Sequence, residues 1–282
     1  MSVVGENRYG KFRVRLMRVN RTREMHRVRE WTLHILLRGD FDECFTAGDN
    51  SNILPTDTMK NTVYSLARKS TADCMEDFAA ELIDFFLSRN PQIAGVEVSV
   101  SQKTWEHLAV DGKPHPSSFV QSSGERQTAT LDRVRGGKPS VLSGLDNLIV
   151  MKTANSGFEG YIQDSLTTLP PTSDRLFATA VRAEWSYIPE KVDFEKLRVR
   201  IRAVLLDTFA AHESKSVQHT LYAMGEGVLS KIPDVAELEL AMPNIHYLLV
   251  DLSRFGQDNP NEVFLPTDEP HGYIEARIQR DK

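Results

Sequence analysis

The 282-residue sequence shows the same order of predicted elements twice, and this repetition limits the fold more than any single motif. In each half, two stretches of alternating apolar and polar residues come first, and two stretches with apolar residues at helical spacing follow. Two more alternating stretches end the half. Alternation predicts strands with one buried face, and helical spacing predicts helices with one apolar side. Each half is therefore predicted to be strand–strand–helix–helix–strand–strand.

The first half contains four predicted strands and two predicted helices. Its strands are expected at 12–16, 31–38 and 96–101 and in a stretch ending near Arg135, and its helices from Thr56 and from Thr71 onwards. A polar segment at 112–116 predicts a long loop before the last strand. Gly136-Gly137-Lys138-Pro139 predicts the seam between the halves, so we expect one unit over residues 1–138 and a second over 139–282.

The second half repeats this order with different residues. Its strands are expected at 145–153, 177–187, 236–240 and 247–251, and its helices at 194–209 and 217–232. Two antiparallel hairpins joined by a helix pair form an α+β layer, with the helices covering one face of the sheet. The other face also needs cover, and a second copy of the same unit is the simplest source. We therefore predict two tandem antiparallel ββααββ units in a chain that assembles into an oligomeric barrel.

Composition argues against several classes of protein. The formal charge of -5 and the pI near 5.9 argue against a nucleic-acid surface, and the basic stretch 13–29 alternates with apolar residues like a half-exposed strand. Cys44 and Cys74 form no close pair, and the eight histidines are scattered, so neither a metal site nor a disulfide framework is expected. We find no signal-like or membrane-spanning apolar run, and expect a cytoplasmic protein without membrane contact.

Several polar and aromatic residues lie at the predicted ends of elements. Thr56 and Asp57 lie at a helix start, Arg175 precedes a strand, Gln218 lies in the first turn of a helix, and Phe158 lies in a loop, whereas Asn244 and His246 lie between two predicted strands. Each has an ordinary structural explanation: helix capping, a solvated strand end, a turn, or a loop aromatic packed on the core. Taken singly, none of them indicates a function.

Six segments together resemble the urate oxidase (uricase) family, in order and with matching gaps. They are Tyr9-Gly10-Lys11, Leu54-Pro55-Thr56-Asp57-Thr58-Met59-Lys60-Asn61-Thr62, Asn155-Ser156-Gly157-Phe158, Ser173-Asp174-Arg175, Ser216-Val217-Gln218 and Met242-Pro243-Asn244-Ile245-His246-Tyr247. The resemblance implies the tunnelling fold, with two units per subunit, four subunits around a tunnel, and active sites at subunit interfaces. Ile245 departs from the polar residue expected there, but its side chain need not face the site.

The resemblance also implies a reaction. Members of the family oxidise urate with O2 and water to 5-hydroxyisourate and hydrogen peroxide during purine degradation, without metal or flavin. Urate is a flat anion rich in hydrogen-bonding groups. By resemblance, Arg175 and Gln218 bind opposite edges of its ring, Phe158 stacks on the ring, and Val217 adds its backbone N–H. An arginine suits the first task because its planar fork donates two parallel hydrogen bonds.

The remaining residues are assigned to oxygen and protons. By resemblance, Asn244 holds dioxygen, and later water, above the ring plane, while Lys11, Thr56 and His246 form a proton relay. A hydroxyl both donates and accepts, and a lysine acts as a base where desolvation or nearby positive charge lowers its pKa. Asp57 is expected to orient these groups, and by resemblance both Thr56 and Asp57 contact substrate. We expect Lys11 and Thr56 to come from one subunit and the remaining groups from another.

Two alternatives stay open on the sequence alone. A pterin enzyme of the same fold also binds a flat heterocycle between subunits, but such enzymes use zinc or a reactive cysteine near histidines, and Cys44 and Cys74 lack such surroundings. A non-catalytic purine-binding module would keep the clamp without the proton relay. Loss of urate absorbance with peroxide formation separates an enzyme from a binder. The role of the segment 257–264 is not indicated by the sequence.

Overall fold

The computed structural model describes residues 2–281, apart from the side chains of Ser123 and Asp268. The chain divides into two compact units, unit 1 (Met1–Gly144) and unit 2 (Leu145–Lys282). The seam expected at 138/139 lies in the turn between the fourth and fifth strands, a few residues before this division. The α+β class, with antiparallel strands and helices packed on the sheet, is confirmed.

Unit 1 contains four strands in chain order and three helices. These are β1 (Tyr9–Arg21), β2 (His26–Gly39), α1 (Asp42–Thr46), α2 (Thr56–Lys69), α3 (Met75–Arg89), β3 (Ile93–Val110) and β4 (Lys113–Val134). The alternating residues of β2 point into the core, where Trp31 stacks on Phe78 of α3 with ring centroids 5.2 Å apart. The indole N–H of Trp31 donates to the Gln102 side chain over 2.6 Å, so this buried polar group is satisfied.

Unit 2 repeats the arrangement with two long helices. Its elements are β5 (Ser140–Lys152), which begins just before the division, β6 (Phe177–Tyr187), α4 (Phe194–Ala211), α5 (Val217–Lys231), β7 (Val235–Leu249), a short 3-10 helix (Ser253–Phe255) and β8 (Phe264–Gln279). Alternate residues of β6, from Phe177 to Trp185, are buried against α4 and α5. No helix in the described part of the chain combines the length and the apolar character needed to cross a membrane.

Three of the expected boundaries are wrong. The polar segment 112–116 is not a long loop, because Asp111 and Gly112, both with positive φ (51° and 74°), form a tight turn between β3 and β4. The predicted strands 236–240 and 247–251 are one strand, β7, which continues through Pro243. The helix expected from Thr71 begins at Met75, after Cys74 at the N-cap position.

The continuity of β7 changes the setting of two candidate residues. Pro243 cannot donate a backbone hydrogen bond to a sheet, yet it pairs with Tyr273 of β8 while Asn244 pairs with Thr179 of β6. Asn244 and His246 therefore lie within a strand and not in a connection between two strands. The last strand, β8, was not predicted at all.

Candidate active site

In unit 2, segments far apart in sequence are joined by backbone hydrogen bonds into what we call the clamp loops, residues 155–158, 172–175 and 214–218. The Gly157 N–H donates to the Ser214 carbonyl over 2.8 Å, and the Ser214 N–H donates to the Asn155 carbonyl over 2.9 Å. A Cβ at Gly157 would lie 2.8 Å from the Ser173 carbonyl oxygen, so a side chain there would force the loops apart. Glycine at 157 is therefore required by close backbone packing.

The same loops hold Phe158 and Arg175. Phe158 and Thr172 exchange both backbone hydrogen bonds, at 2.7 and 3.1 Å, and the Arg175 N–H donates to the Ser156 carbonyl over 2.7 Å. The Asp174 carboxylate accepts from the Ser156 N–H over 3.1 Å. Because these bonds fix the backbone on both sides, the positions of the two side chains are set before any ligand arrives.

Phe158 and Arg175, which the sequence assigned to substrate, are in contact. The guanidinium carbon of Arg175 lies 5.2 Å from the centroid of the Phe158 ring. The Arg175 Nε atom is buried and has no hydrogen-bond partner. Burial lowers the pKa of Arg175, but a guanidinium keeps its charge at neutral pH. A buried, charged donor without an acceptor is costly, and an anionic ligand beside Phe158 would satisfy it.

Tyr161 is a member of this cluster that the sequence reasoning missed. Its ring stacks on Phe158 with centroids 4.7 Å apart and planes only 11° apart, and its hydroxyl donates to the Leu169 carbonyl over 2.5 Å. Tyr161 therefore ties the loop that follows Phe158 to the plane of the Phe158 ring. The only signal in the sequence was its position three residues after Phe158.

Val217 and Gln218 open helix α5. Ser216 is the N-cap, and its hydroxyl oxygen accepts from the His219 N–H over 3.1 Å, while the Ser214 hydroxyl donates to the Ser216 carbonyl over 3.1 Å. Val217 is buried and Gln218 is exposed. The first amides of a helix have no intrahelical acceptor, so the Val217 and Gln218 N–H groups can face an anion. Ser214 joins this helix start to the Phe158 loop.

Asn244 and His246 lie on β7, next to the strand that follows Arg175. β6 begins at Phe177, and its Thr179 is paired with Asn244. On the other side, Asn244 pairs with Gly272 and His246 with Thr267, so β8 carries extra residues between these two pairs. Such an irregularity re-aims side chains locally. Asn244 and His246 are both half-buried.

In unit 1, Lys11 lies at an irregular point of β1. Lys11 pairs with Ile35 and Val14 with Leu33, so β1 has one more residue than β2 between these pairs, and Arg13 has a φ of 59°. This is a β-bulge, a feature that often adjusts the direction of functional side chains. A Cβ on Gly10 would lie 1.7 Å from the Ile35 carbonyl oxygen. Glycine is therefore the residue that lets β1 approach β2 next to Lys11.

Thr56 is the first residue of α2, and neither it nor Asp57 caps the helix. The N-cap position belongs to Pro55, which makes no side-chain cap bond. The Asp57 carboxylate accepts from Lys60 over 2.5 Å and from Asn61 over 2.9 Å. The hydrogen bond from Lys60, and more weakly the positive charge of Lys11, lower the pKa of Asp57. Asp57 is therefore ionised at neutral pH and lies within the electrostatic reach of Lys11.

The structure thus brings the sequence-predicted residues together within each unit. Phe158 and Arg175 are in contact. Hydrogen bonds join their loops to Ser214, which bonds to Ser216 directly before Val217 and Gln218, and β6 pairs with β7 at Asn244. In unit 1, Lys11 and Asp57 interact through their charges, and Thr56 precedes Asp57. Among the side chains that the structure describes, no three His, Cys, Asp or Glu groups gather in a way that would hold a metal ion.

Comparison with known proteins covers both units. The family model described as Uricase matches residues 7–132 and 141–275. The uricase of Arthrobacter globiformis is 39% identical over 279 residues, which are 99% of this chain and 90% of that protein. The uricase of Dictyostelium discoideum is 40% identical over 283 residues, which cover 99% of this chain and 98% of that one.

Solved structures show the same similarity in three dimensions. The crystal structure of the uricase from Arthrobacter globiformis matches with a TM-score of 0.93 at 39% sequence identity, covering 100% of this chain and 96% of that one. A match of this extent includes the clamp loops of unit 2 and the β1 and α2 segments of unit 1.

Proposed function

The chain belongs to the uricase family, and we propose that its urate-oxidising site is built from the clamp loops in unit 2 of one subunit and from Lys11 and Thr56 in unit 1 of another subunit. The chain is a urate oxidase, which converts urate, O2 and water to 5-hydroxyisourate and hydrogen peroxide in purine degradation. This family assignment favours the oxidase over a pterin enzyme or a non-catalytic purine-binding module.

The observation that carries the proposed site is the unpartnered Nε of Arg175 beside the Phe158 ring. Urate stacked on Phe158 brings a carbonyl oxygen and a deprotonated ring nitrogen to the Arg175 fork, which can donate to both. A charge-assisted pair of this kind is strong because both partners are ionised and the site is partly desolvated. Arg175 therefore selects the anion, and Phe158 selects a flat ring.

The start of α5 supplies the opposite edge of the clamp. The Gln218 amide donates and accepts at once, and the Val217 N–H adds a donor at the positive end of the helix. Both are attached through Ser214 to the loop of Phe158. The groups that bind the two edges of the ligand are therefore held together with the ring that stacks on it. A rigid clamp orders a rigid ligand at small entropic cost.

The oxidation itself needs two electrons and two protons to leave urate. The electron-rich anion gives both electrons to O2, and the two protons follow to form hydrogen peroxide. Water then adds to C5 of the oxidised ring, so the product has gained the elements of water and lost two hydrogens. We assign Asn244 to hold O2, and afterwards this water, because its amide both donates and accepts.

Proton transfer is assigned to Lys11, Thr56 and His246. The Thr56 hydroxyl accepts from the substrate side and donates to the Lys11 amine, and His246 exchanges protons near Asn244. Asp57 cannot act as the acid because Lys60 and Lys11 favour its ionised form. Its role is to orient the lysines and the N-terminal turn of α2, and to contact substrate through that turn.

We further propose a homotetramer in which each site takes Lys11 and Thr56 from one subunit and the clamp, Asn244 and His246 from another. The support is that the two sets lie in different units, and that the sheet faces opposite the helices need cover. The cytoplasmic location stays a prediction. Activity without a metal or organic cofactor is also a prediction, and it requires that turnover survive exhaustive chelation.

The direct test follows urate absorbance, O2 uptake and peroxide in one reaction with the purified protein. We expect one O2 consumed and one peroxide formed per urate. The Arg175→Ala variant should bind urate more weakly than the wild type. Binding of urate without O2 uptake would instead indicate a purine-binding module. Oxidation that a single added metal restores after chelation would contradict the cofactor-free proposal.

A further inference from the structure

Lys152 lies at the end of β5, shortly before the first clamp loop, and takes no part in the proposed reaction. Its ammonium donates a hydrogen bond to the backbone carbonyl of His212, the C-cap residue of α4. The same ammonium lies 5.4 Å from the centroid of the buried Phe209 ring, which is within the range of a cation–π contact. Lys152 is thus a half-buried cation at the C-terminal end of a helix, where the helix dipole favours positive charge.

The bond from Lys152 to His212 continues a row of backbone hydrogen bonds between the same two segments. Next along the row, the Ser214 N–H donates to the Asn155 carbonyl over 2.9 Å, and the Gly157 N–H donates to the Ser214 carbonyl over 2.8 Å. The last carbonyls of a helix have no intrahelical donor, so the ammonium also satisfies a group at the end of α4. Lys152 therefore holds one end of a junction whose other end is the loop with the stacking ring.

The same junction is in contact with the start of α5. The His212 ring packs edge to face on the His219 ring, with centroids 4.3 Å apart, and His219 directly follows Gln218 in the first turn of the helix. The His219 N–H in turn donates to the Ser216 hydroxyl oxygen over 3.1 Å. A displacement of His212 would therefore be transmitted to the turn that carries Gln218.

We propose that Lys152 is a positioning residue for the urate clamp: its ammonium holds the junction of α4 and α5 against the end of β5, which keeps Gln218 at a fixed distance from the Phe158 ring. The inference rests on the proposed clamp, and Lys152 acts through the His212 carbonyl without contacting urate. A hydrogen bond with an ionised donor is stronger than a neutral one, so a single side chain can hold this junction. Because urate is rigid, a shift of Gln218 relative to Arg175 weakens the hydrogen bonds at one edge of the ring.

The test compares Lys152→Met with the wild type in steady-state oxidation and in anaerobic titration calorimetry of the intact protein with urate. The substitution removes the ammonium and keeps an unbranched side chain. We expect KM, and the anaerobic Kd for urate, to rise about tenfold while kcat stays within about threefold. Lys152→Arg keeps the charge and should recover part of the loss. Lys152→Gln keeps a neutral donor and is a milder second variant, whose KM should rise about threefold.

A double-mutant cycle with Gln218→Ala shows whether Lys152 acts through the clamp. In the Gln218→Ala protein the edge that Lys152 positions is already lost, so adding Lys152→Met should raise KM by no more than about threefold. A general loss of stability would instead add its full effect in both backgrounds. Full additivity of the two substitutions would therefore overturn the proposal.

Two controls in α5 separate positioning from charge and from stability. Lys231→Met removes a lysine from the exposed last turn of the helix and should leave KM within about twofold. Val228→Ala shortens a buried side chain about 15 Å along the helix from Gln218, so it should lower the urea midpoint of unfolding without changing KM. An equal rise of KM in Val228→Ala would overturn the proposal, because KM would then follow stability.

Arg175→Gln distinguishes failure of this inference from failure of the clamp. A raised KM in Arg175→Gln together with a wild-type KM in both Lys152→Met and Lys152→Gln would overturn the positioning role and leave the clamp standing. A wild-type KM in Arg175→Gln would overturn the clamp and the positioning role together. Raised KM in Arg175→Gln and Lys152→Met, with kcat nearly unchanged in Lys152→Met, supports both.

Discussion

The proposed urate clamp of unit 2 and the proposed proton-transfer residues of unit 1 are held in place by different means. Backbone hydrogen bonds of 2.7–3.1 Å join three distant segments around Phe158 and Arg175. Lys11 and Thr56 instead lie on a β-bulge and at an uncapped helix start, where an exposed salt bridge between Asp57 and Lys60 is the main polar contact. The clamp is thus preorganised within one chain, whereas Lys11 and Thr56 are half-buried beside the exposed Asp57, so a partner surface can still cover them.

The charged side chains of the two regions also differ in burial and in hydrogen-bond partners. Arg175 has a buried Nε with no partner, so the free protein bears the cost of keeping a cation ready for an anion. Asp57 is exposed and already paired. On the proposed assignment, the energy of urate binding comes from unit 2, and unit 1 contributes to the chemical step. The following predictions test that division, beginning with the largest effect.

Removal of the relay should reduce turnover and leave urate binding nearly intact. We expect Thr56→Val and Lys11→Met each to lower kcat by about 10²–10⁴, the usual range for loss of acid–base catalysis, with little change in KM. The matched control is Lys69→Met, at the exposed end of α2. Steady-state urate oxidation measures this, and wild-type kcat in both relay variants would exclude the proposed division.

Removal of the clamp cation should do the reverse. Arg175→Gln should raise KM for urate by about 10²-fold, because two charge-assisted hydrogen bonds are lost, and Arg175→Lys should recover only part of the loss, since it restores charge without the planar fork. Urate saturation curves and direct binding of a non-oxidised purine analogue give the answer. An unchanged KM in Arg175→Gln would contradict the clamp.

Removal of the Tyr161 ring, which stacks on Phe158, should raise the KM for urate less than removal of the Arg175 charge does. Tyr161→Ala removes the stacked ring and should raise KM up to about tenfold, the scale of one aromatic pair, with kcat less affected. Tyr161→Phe keeps the ring and loses the bond to the Leu169 carbonyl, so its KM should fall between those of the wild type and Tyr161→Ala. If the Phe variant is as impaired as the Ala variant, the hydroxyl and not the stack is what matters.

The smallest effect concerns pH and compares one histidine in each unit. Burial lowers the pKa of His34, helped by the charge of Arg13, and burial lowers the pKa of His212, helped by His219 and Lys152 and opposed by Glu213. The native state therefore binds these protons less tightly than the unfolded chain. The stability that they contribute is present above pH 6.5, the ordinary histidine value, and is lost as pH falls through the lowered pKa.

Urea unfolding at fixed protein concentration, between about pH 7.5 and 5, measures this loss. His34→Gln and His212→Gln should each make the unfolding midpoint less dependent on pH than it is in the wild type. Curves for both variants parallel to that of the wild type would show that neither histidine is linked to folding.

The order of elements could be predicted because each core strand and helix buries one face. The alternation of Trp31, Leu33, Ile35 and Leu37 shows this burial directly in the sequence. The ends of the long strands could not be predicted, since the last residues of β3 and the first residues of β4 are exposed or half-buried and do not alternate regularly between polar and apolar. β8 was missed for a similar reason, because most of its residues are exposed and Pro266 and Pro270 interrupt the pattern.

The candidate residues could be identified from six short segments taken together. Their structural surroundings could not be predicted from those segments. Nothing in the sequence pairs Ser156 with Ser214, because this contact depends on how distant loops meet. Asn244 and His246, which follow Pro243, were expected between two strands. They lie within β7, because this strand continues through the proline. Tyr161 and Asp174 act by supporting neighbours, and such roles become visible only when stacking and hydrogen bonds are known.

A subunit-mixing experiment tests most directly whether relay and clamp from different chains form one site. Lys11→Met and Arg175→Ala proteins are unfolded, mixed in equal amounts, refolded and assayed at a urate concentration far below the raised KM of the Arg175 variant, where each protein alone is nearly inactive. With sites shared between subunits, random assembly should pair an intact relay with an intact clamp at about a quarter of the sites and restore that share of wild-type turnover. A mixture no more active than its separate components would contradict the account, because every site would then depend on a single chain.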